Sequence, residues 1–295
     1  MKYKKAVSLL VYGISILAII ATTAGIFSKS GPGEYEHISI RGETVTIFGK
    51  GIYQDMSADV AIQGIAQDVV TLFIAIPFLL TALYFARKGS LKGRIMLSGS
   101  LLYFFLTYLF YLAMAMFNPL FLVYVLLLSA SFFAMILTLF SLYFENLSKY
   151  FHPRLPVKFL GGFLIFNAVV IGSLWLQVVL PPLFKEVIPI DLDHYTTLIV
   201  QGFDLALFLP ISFISGICLI KRAPIGYLLG PVYLVFLSLL MTTLTGKITG
   251  MALVGVNVIP AIFIIPLINI TTILCSIIIF RNMNYKVNRD IEMNI

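Results

Sequence analysis

Apolar positions fall in runs long enough to cross a bilayer, and polar positions gather in the breaks between them. Eight such runs occupy roughly 6–27, 68–86, 95–116, 119–144, 159–182, 198–220, 225–245 and 252–280. A hydrocarbon core of about 30 Å needs about 20 helical residues, and each run supplies that. The runs are continuously apolar, which predicts helices rather than the alternating strands of a barrel. The chain is therefore expected to be an all-α integral membrane protein of about eight transmembrane helices. Its segments are 1–27 (first helix), 28–67 (extracytoplasmic), 68–144 (helices 2–4), 145–158 (cytoplasmic loop), 159–280 (helices 5–8, with an outer loop at 183–197) and 281–295 (cytoplasmic tail). The first run follows Met1-Lys2-Tyr3-Lys4-Lys5. It is longer than a usual signal core and is expected to stay as a span.

Polar segments add detail at two places. In 28–67, Ser28 to Gly33 is a turn-rich linker. His37–Ile40 and Thr44–Phe48 then alternate around Arg41-Gly42-Glu43 as a small β-hairpin cap. Ala58 to Asp68 reads as a helix running into the second span, with Asp59 as its first-turn acid. The second outer segment, Pro181 to Thr197, carries three prolines and Asp191-Leu192-Asp193-His194.

Composition supports the class. Sixty per cent of the 295 residues are hydrophobic and 11% charged, with mean hydropathy +1.02. Soluble domains carry about 25% charged residues. The net charge of +7 does not indicate nucleic acid, because the bases sit in short loops. Fifteen of the 20 Lys and Arg residues fall at the N-terminus, near 87–94, 149–158, 221–222 and 281–289. The positive-inside rule then puts both termini in the cytoplasm of a cell-membrane protein. Lys29, Arg41, Lys50, Lys185 and Lys247 remain for the outer side. Cys218 and Cys275 lie inside apolar runs and read as small buried hydrophobes.

The halves of the chain look alike. Asp68 precedes Pro77, the basic turn Arg87-Lys88 and Gly93. Asp204 precedes Pro210, Lys221-Arg222 and Gly226. With four spans each, the halves would form two parallel four-helix repeats about an axis along the membrane normal. The competing reading is two ordinary helix pairs, each with a basic turn.

Ionisable groups within spans are costly and mark functional candidates. Asp68 and Asp204 are the sharpest, paired across a shared outer-facing vestibule. The alternative is two carboxylates capping helix ends or pairing with outer bases. Gln201, Asn257 and Asn269 join them as polar residues in spans, where interhelical hydrogen bonding is the commoner role. Asp191, Asp193 and His194, facing Glu34, Glu36 and His37, offer oxygen and imidazole ligands for a metal, without diagnostic spacing. Tyr103, Tyr108, Tyr111 and Tyr124 read as packing and interface aromatics. No HExxH, GxSxG, Walker loop, GxGxxG or CxxC is present, so no enzyme or cofactor is indicated.

Several stretches resemble a family of prokaryotic polytopic membrane proteins without an assigned activity. They are Gly49-Lys50-Gly51-Ile52-Tyr53, Gln67-Asp68-Val69-Val70-Thr71-Leu72, Phe117-Asn118-Pro119-Leu120-Phe121, Asp204-Leu205-Ala206-Leu207 with Pro210, and Arg222-Ala223-Pro224-Ile225-Gly226-Tyr227. The resemblance implies shared topology and transfers no site. The leading expectation is binding or transport of a small solute or ion. A non-catalytic sensor or assembly partner, whose outer cap binds a protein or envelope component, is the alternative, and a homo-oligomer is a further partner expectation. A lipid-modifying enzyme is the third reading.

Overall fold

The computed structural model describes residues 2–142, 144–185, 187–189 and 192–283. Eight long apolar helices make up the body: α1 Lys4–Phe27, α2 Ala58–Arg87, α3 Leu91–Met114, α4 Phe121–Phe140, α5 Val157–Lys185, α6 Ile199–Ile220, α7 Gly226–Leu253 and α8 Ala261–Arg281. A hairpin of β1 (Tyr35–Ile38) and β2 (Thr44–Ile47) lies between α1 and α2. Its strands are antiparallel, with Tyr35 opposite Ile47 and His37 opposite Val45. The first strand starts two residues before the alternation predicts. Ser39 starts the turn instead: its N–H donates to the Glu43 carbonyl and its carbonyl accepts from Gly42. Gly42 takes a left-handed φ of 86°, which a side chain would strain.

The connections sort onto two ends. Arg41 donates to the Thr196 carbonyl, and His194 Nε2 lies 2.9 Å from the Asp55 carbonyl, so the segments after α1 and after α5 share the hairpin end. At the far end, His152 N–H donates to the Asn282 carbonyl and Arg222 reaches the Pro153 carbonyl. This gathers the segment after α4, the turn after α6 and the end of α8. Successive helices thus run in opposite directions.

Packing puts α3 and α7 at the centre. α3 contacts α2, α4 and α7, while α7 contacts α2, α3, α6 and α8; α1 rests on α2 and α4, and α5 on α6. Close approach relies on glycine. A Cβ on Gly161 of α5 would meet the Gly216 carbonyl of α6, and one on Gly216 would meet that of Gly161. Replacing Gly216 by leucine should therefore force these helices apart. We expect a loss of about 1–3 kcal/mol, the usual cost of overpacking, read as a lower midpoint in detergent unfolding.

Both α2 and α6 are interrupted. A wide turn with i→i+5 hydrogen bonding occupies Thr71–Ala75 and a second Asp204–Phe208, each followed by a proline, Pro77 or Pro210. Proline lacks an N–H and its ring crowds the carbonyl four residues back. An expanded turn relieves that crowding inside the helix, and such turns often mark functional positions. After each wide turn the helix runs on, over Ile76–Arg87 or Leu209–Ile220, both 12 residues. A glycine then follows: a Cβ on Gly93 would strike Phe85 and Ala86, and one on Gly226 would strike Cys218 and Leu219.

Several helix boundaries differ from those read in the sequence, among them those of α5, α7 and α8. α5 continues through Pro181 and Pro182 to Lys185. Both prolines fall near its end, where few backbone bonds are lost. α7 continues to Leu253, so Lys247 lies within a helix rather than in a loop. α8 begins only at Ala261, because Gly255, at φ 89°, and Pro260 break the chain before it.

Candidate functional site

Asp68 occupies the middle of α2 and is 1% exposed. Tyr53, from the segment between hairpin and α2, donates to its Oδ2 at 2.6 Å; Tyr111 of α3 donates to its Oδ1 at 2.8 Å. The close fit explains two glycines. A Cβ on Gly25 of α1 would overlap the Asp68 carboxylate, and one on Gly64 would press on the Tyr53 ring. The fit also explains the aromatic residues of α3 and α4. Tyr111 packs edge-on against Tyr53, Tyr108 and Tyr124, while Tyr108 and Tyr124 stack with centroids 6.2 Å apart. Four tyrosines thus wall in one carboxylate. Among the described residues Asp68 faces tyrosine rather than an open vestibule.

A second layer of polar contacts leads toward α7. Gln67 Nε2 donates to Thr107 Oγ1 at 3.1 Å. The Tyr103 hydroxyl lies 2.9 Å from both Thr71 Oγ1 of α2 and Thr243 Oγ1 of α7. The periodicity is helical: Tyr103, Thr107 and Tyr111 recur every four residues on one face of α3. One turn beyond Thr243 stands Lys247, half-buried. It is held there by small neighbours, since Gly246 faces Val70 and Gly250 faces Ala66 of α2.

Lys247 lies within Coulombic reach of both Asp68 and Asp204. Asp204 opens the wide turn of α6, partly buried, and Trp175 of α5 donates to its Oδ2 at 2.8 Å. Neither acid caps a helix end. The structure puts Lys247, whose polar surroundings in the sequence suggest a loop, on a membrane-length helix like the two acids. Its signal was present: Thr243, Gly246, Lys247 and Gly250 follow helical spacing beyond the expected end of the run.

The remaining candidates lie elsewhere or in other roles. Gln201 is buried one turn before Asp204. Asn269 bonds Thr242 and Thr245 at 3.2 and 3.5 Å, joining α8 to α7. Asn257 is exposed in the connection before α8, where its Oδ1 accepts from Ile259 N–H, so it belongs to no span. Asp193 lines a cleft of about 280 Å³ at the hairpin end with Glu34 and Asp59. His194 sets its ring edge-on to His37 with centroids 6.1 Å apart. Asp191 lies outside the described residues. Among the described residues no group of three or more His, Cys, Asp or Glu side chains is placed to hold a metal ion.

The eight apolar helices make the chain a multi-pass membrane protein. No family model, no curated protein and no solved structure matches it.

Proposed function

We propose that the protein carries a small solute or ion across the cell membrane, binding it at the cluster of Asp68, Asp204 and Lys247. The single observation behind this reading is that three ionisable side chains lie within the apolar helices α2, α6 and α7, with Asp68 only 1% exposed. Each such group costs about 2.5–3.5 kcal/mol at the centre of a membrane helix, so their placement calls for a use. Both acid-bearing helices are interrupted beside the cluster, as helices lining carrier sites are. With Asp68 closed in by tyrosine, access requires Tyr53 to move.

An internal repeat fits this reading. One constant shift in residue number pairs Pro77 with Pro210, Lys88 with Lys221 and Gly93 with Gly226, together with the two wide turns. Under that shift Gln201, not Asp204, is the counterpart of Asp68, and Thr71 is the counterpart of Asp204. The halves would then contribute different charges to one site. We orient the hairpin outward, with both termini in the cytoplasm, from the Lys and Arg distribution. We also assign the chain to the prokaryotic polytopic family it resembles, whose stretches supply Tyr53, Gln67, Asp68, Thr71 and Asp204 here.

Trp175 is the sole tryptophan and its indole bonds Asp204, so its emission reports on the site. In nanodiscs, titration with a panel of inorganic ions, amines and amino acids should give a saturable emission change for at least one compound. Asp204→Asn should abolish that response. A panel that leaves the emission unmoved counts against the reading.

A second reading, a sensor working through the extramembrane segment, has one observation in its favour. Tyr53 ties that segment directly to Asp68. In a sensor, Tyr53→Phe would alter signalling without altering any uptake.

A further inference from the structure

The tyrosine box around Asp68 contains more oxygen than the carboxylate uses. Tyr53 and Tyr111 satisfy its two oxygens. The hydroxyl of Tyr108, a residue 0% exposed, has no hydrogen-bond partner among the described residues. Tyr124, 1% exposed, faces Asn118 without hydrogen-bonding geometry. Both rings pack against Tyr111, which bonds the carboxylate, with centroids 5.7 Å (Tyr108) and 5.5 Å (Tyr124) from its ring.

A buried hydroxyl without a partner is disfavoured, and native proteins keep few of them. If tyrosine served only to fill space here, phenylalanine would fill it at lower cost. Two retained hydroxyls beside one buried carboxylate are the donor set of a cation: hard oxygen atoms around a single negative charge. Tyrosine faces add cation–π attraction, which strengthens when water is excluded. One carboxylate matches one positive charge, which selects a monovalent ion over a divalent one.

Resting on the carrier reading of the same cluster, we propose that Asp68, Tyr53, Tyr108, Tyr111 and Tyr124 form a binding site for a dehydrated monovalent cation. The ion enters from the hairpin end when Tyr53 swings aside. The coupling ion then sits at Asp68, and the solute is left to Asp204 and Lys247. Occupation of Asp68 would weaken its hold on Lys247, which links the two events electrostatically.

The test is thermal unfolding of the intact protein in nanodiscs, followed by circular dichroism. Sodium, potassium or ammonium chloride is compared with N-methyl-glucamine chloride at equal ionic strength. At least one small cation should raise the midpoint saturably, as binding to the folded state requires. Tyr108→Phe should leave the midpoint in N-methyl-glucamine unchanged or higher, yet weaken the apparent affinity for that cation about tenfold. Asp68→Asn should abolish the response. Identical midpoints in all four salts would overturn the proposal. So would a full wild-type response in both Tyr108→Phe and Tyr124→Phe. Failure of the carrier reading would show instead in the Trp175 titration, which this experiment does not use.

Discussion

Replacing Asp68 by alanine should be among the most damaging single changes in the bundle, lowering stability by about 2–4 kcal/mol. The carboxylate accepts from Tyr53 at 2.6 Å and from Tyr111 at 2.8 Å. Truncation leaves both hydroxyls buried without that acceptor, and each such loss costs about 1–3 kcal/mol. Interhelical hydrogen bonds in membranes average nearer 0.6 kcal/mol, because partners can be found elsewhere. Here the alternatives are few: Tyr111 has the Gly64 carbonyl at 3.2 Å, and the Tyr53 and Tyr111 hydroxyls lie near each other. The void beside Gly25 adds a cavity term. Asp68→Asn keeps one acceptor oxygen and the side-chain volume, and should lose less than half as much. Equilibrium unfolding of the two variants in detergent checks the order. Equal losses would mean that packing, not hydrogen bonding, holds Tyr53 in place.

The second large effect belongs to Lys247. Lys247→Met keeps the length of the side chain and removes its charge, and with it the long-range attraction to both carboxylates. Removing one partner of a direct buried ion pair costs about 3–5 kcal/mol, and among the described residues Lys247 reaches the two acids only at longer range. Lys247 keeps some exposure, which reduces the expected loss to roughly 2 kcal/mol. The informative variant is the double one. Adding Asp204→Asn removes the unpaired charge and should recover part of the loss, a coupling that independent sites would not show. Strict additivity of the two changes would place Asp204 outside the cluster.

How much of this was legible in the sequence follows from the physics of each feature. Apolar runs reveal spans because the bilayer demands about 20 of them in a row, so eight helices could be counted directly. The hairpin was visible because Thr44 to Phe48 alternates, although its first strand begins earlier, at Tyr35. Asp68 and Asp204 stood out as charges in apolar surroundings. Lys247 did not, since Thr242 to Gly250 is polar enough to resemble the end of a span. The helical spacing of Thr243, Gly246, Lys247 and Gly250 is the sequence signal that the helix continues, and their packing on α2 through Gly246 and Gly250 gives the reason. Tyr53 could not be placed at Asp68 from sequence. Fifteen residues separate them, and the contact depends on how the segment after β2 folds back. In the sequence the tyrosines of α3 carry only a packing signal. They pack, but they also surround a charge, a tertiary fact with no local signature.

Carriage of a solute through this cluster requires that water reach it. Thr243 is 1% exposed in the structure and sits between Tyr103 and Lys247, at the centre of the polar track. In a background where Cys218 and Cys275 are replaced by serine, Thr243→Cys can be challenged with a charged, membrane-impermeant thiol reagent from either side of sealed vesicles. Alternating access predicts labelling within minutes, slowed by whichever compound shifts Trp175 emission. A cysteine inert from both sides, in protein that still folds, would mean that the interior stays closed and that Asp68, Asp204 and Lys247 serve only the architecture.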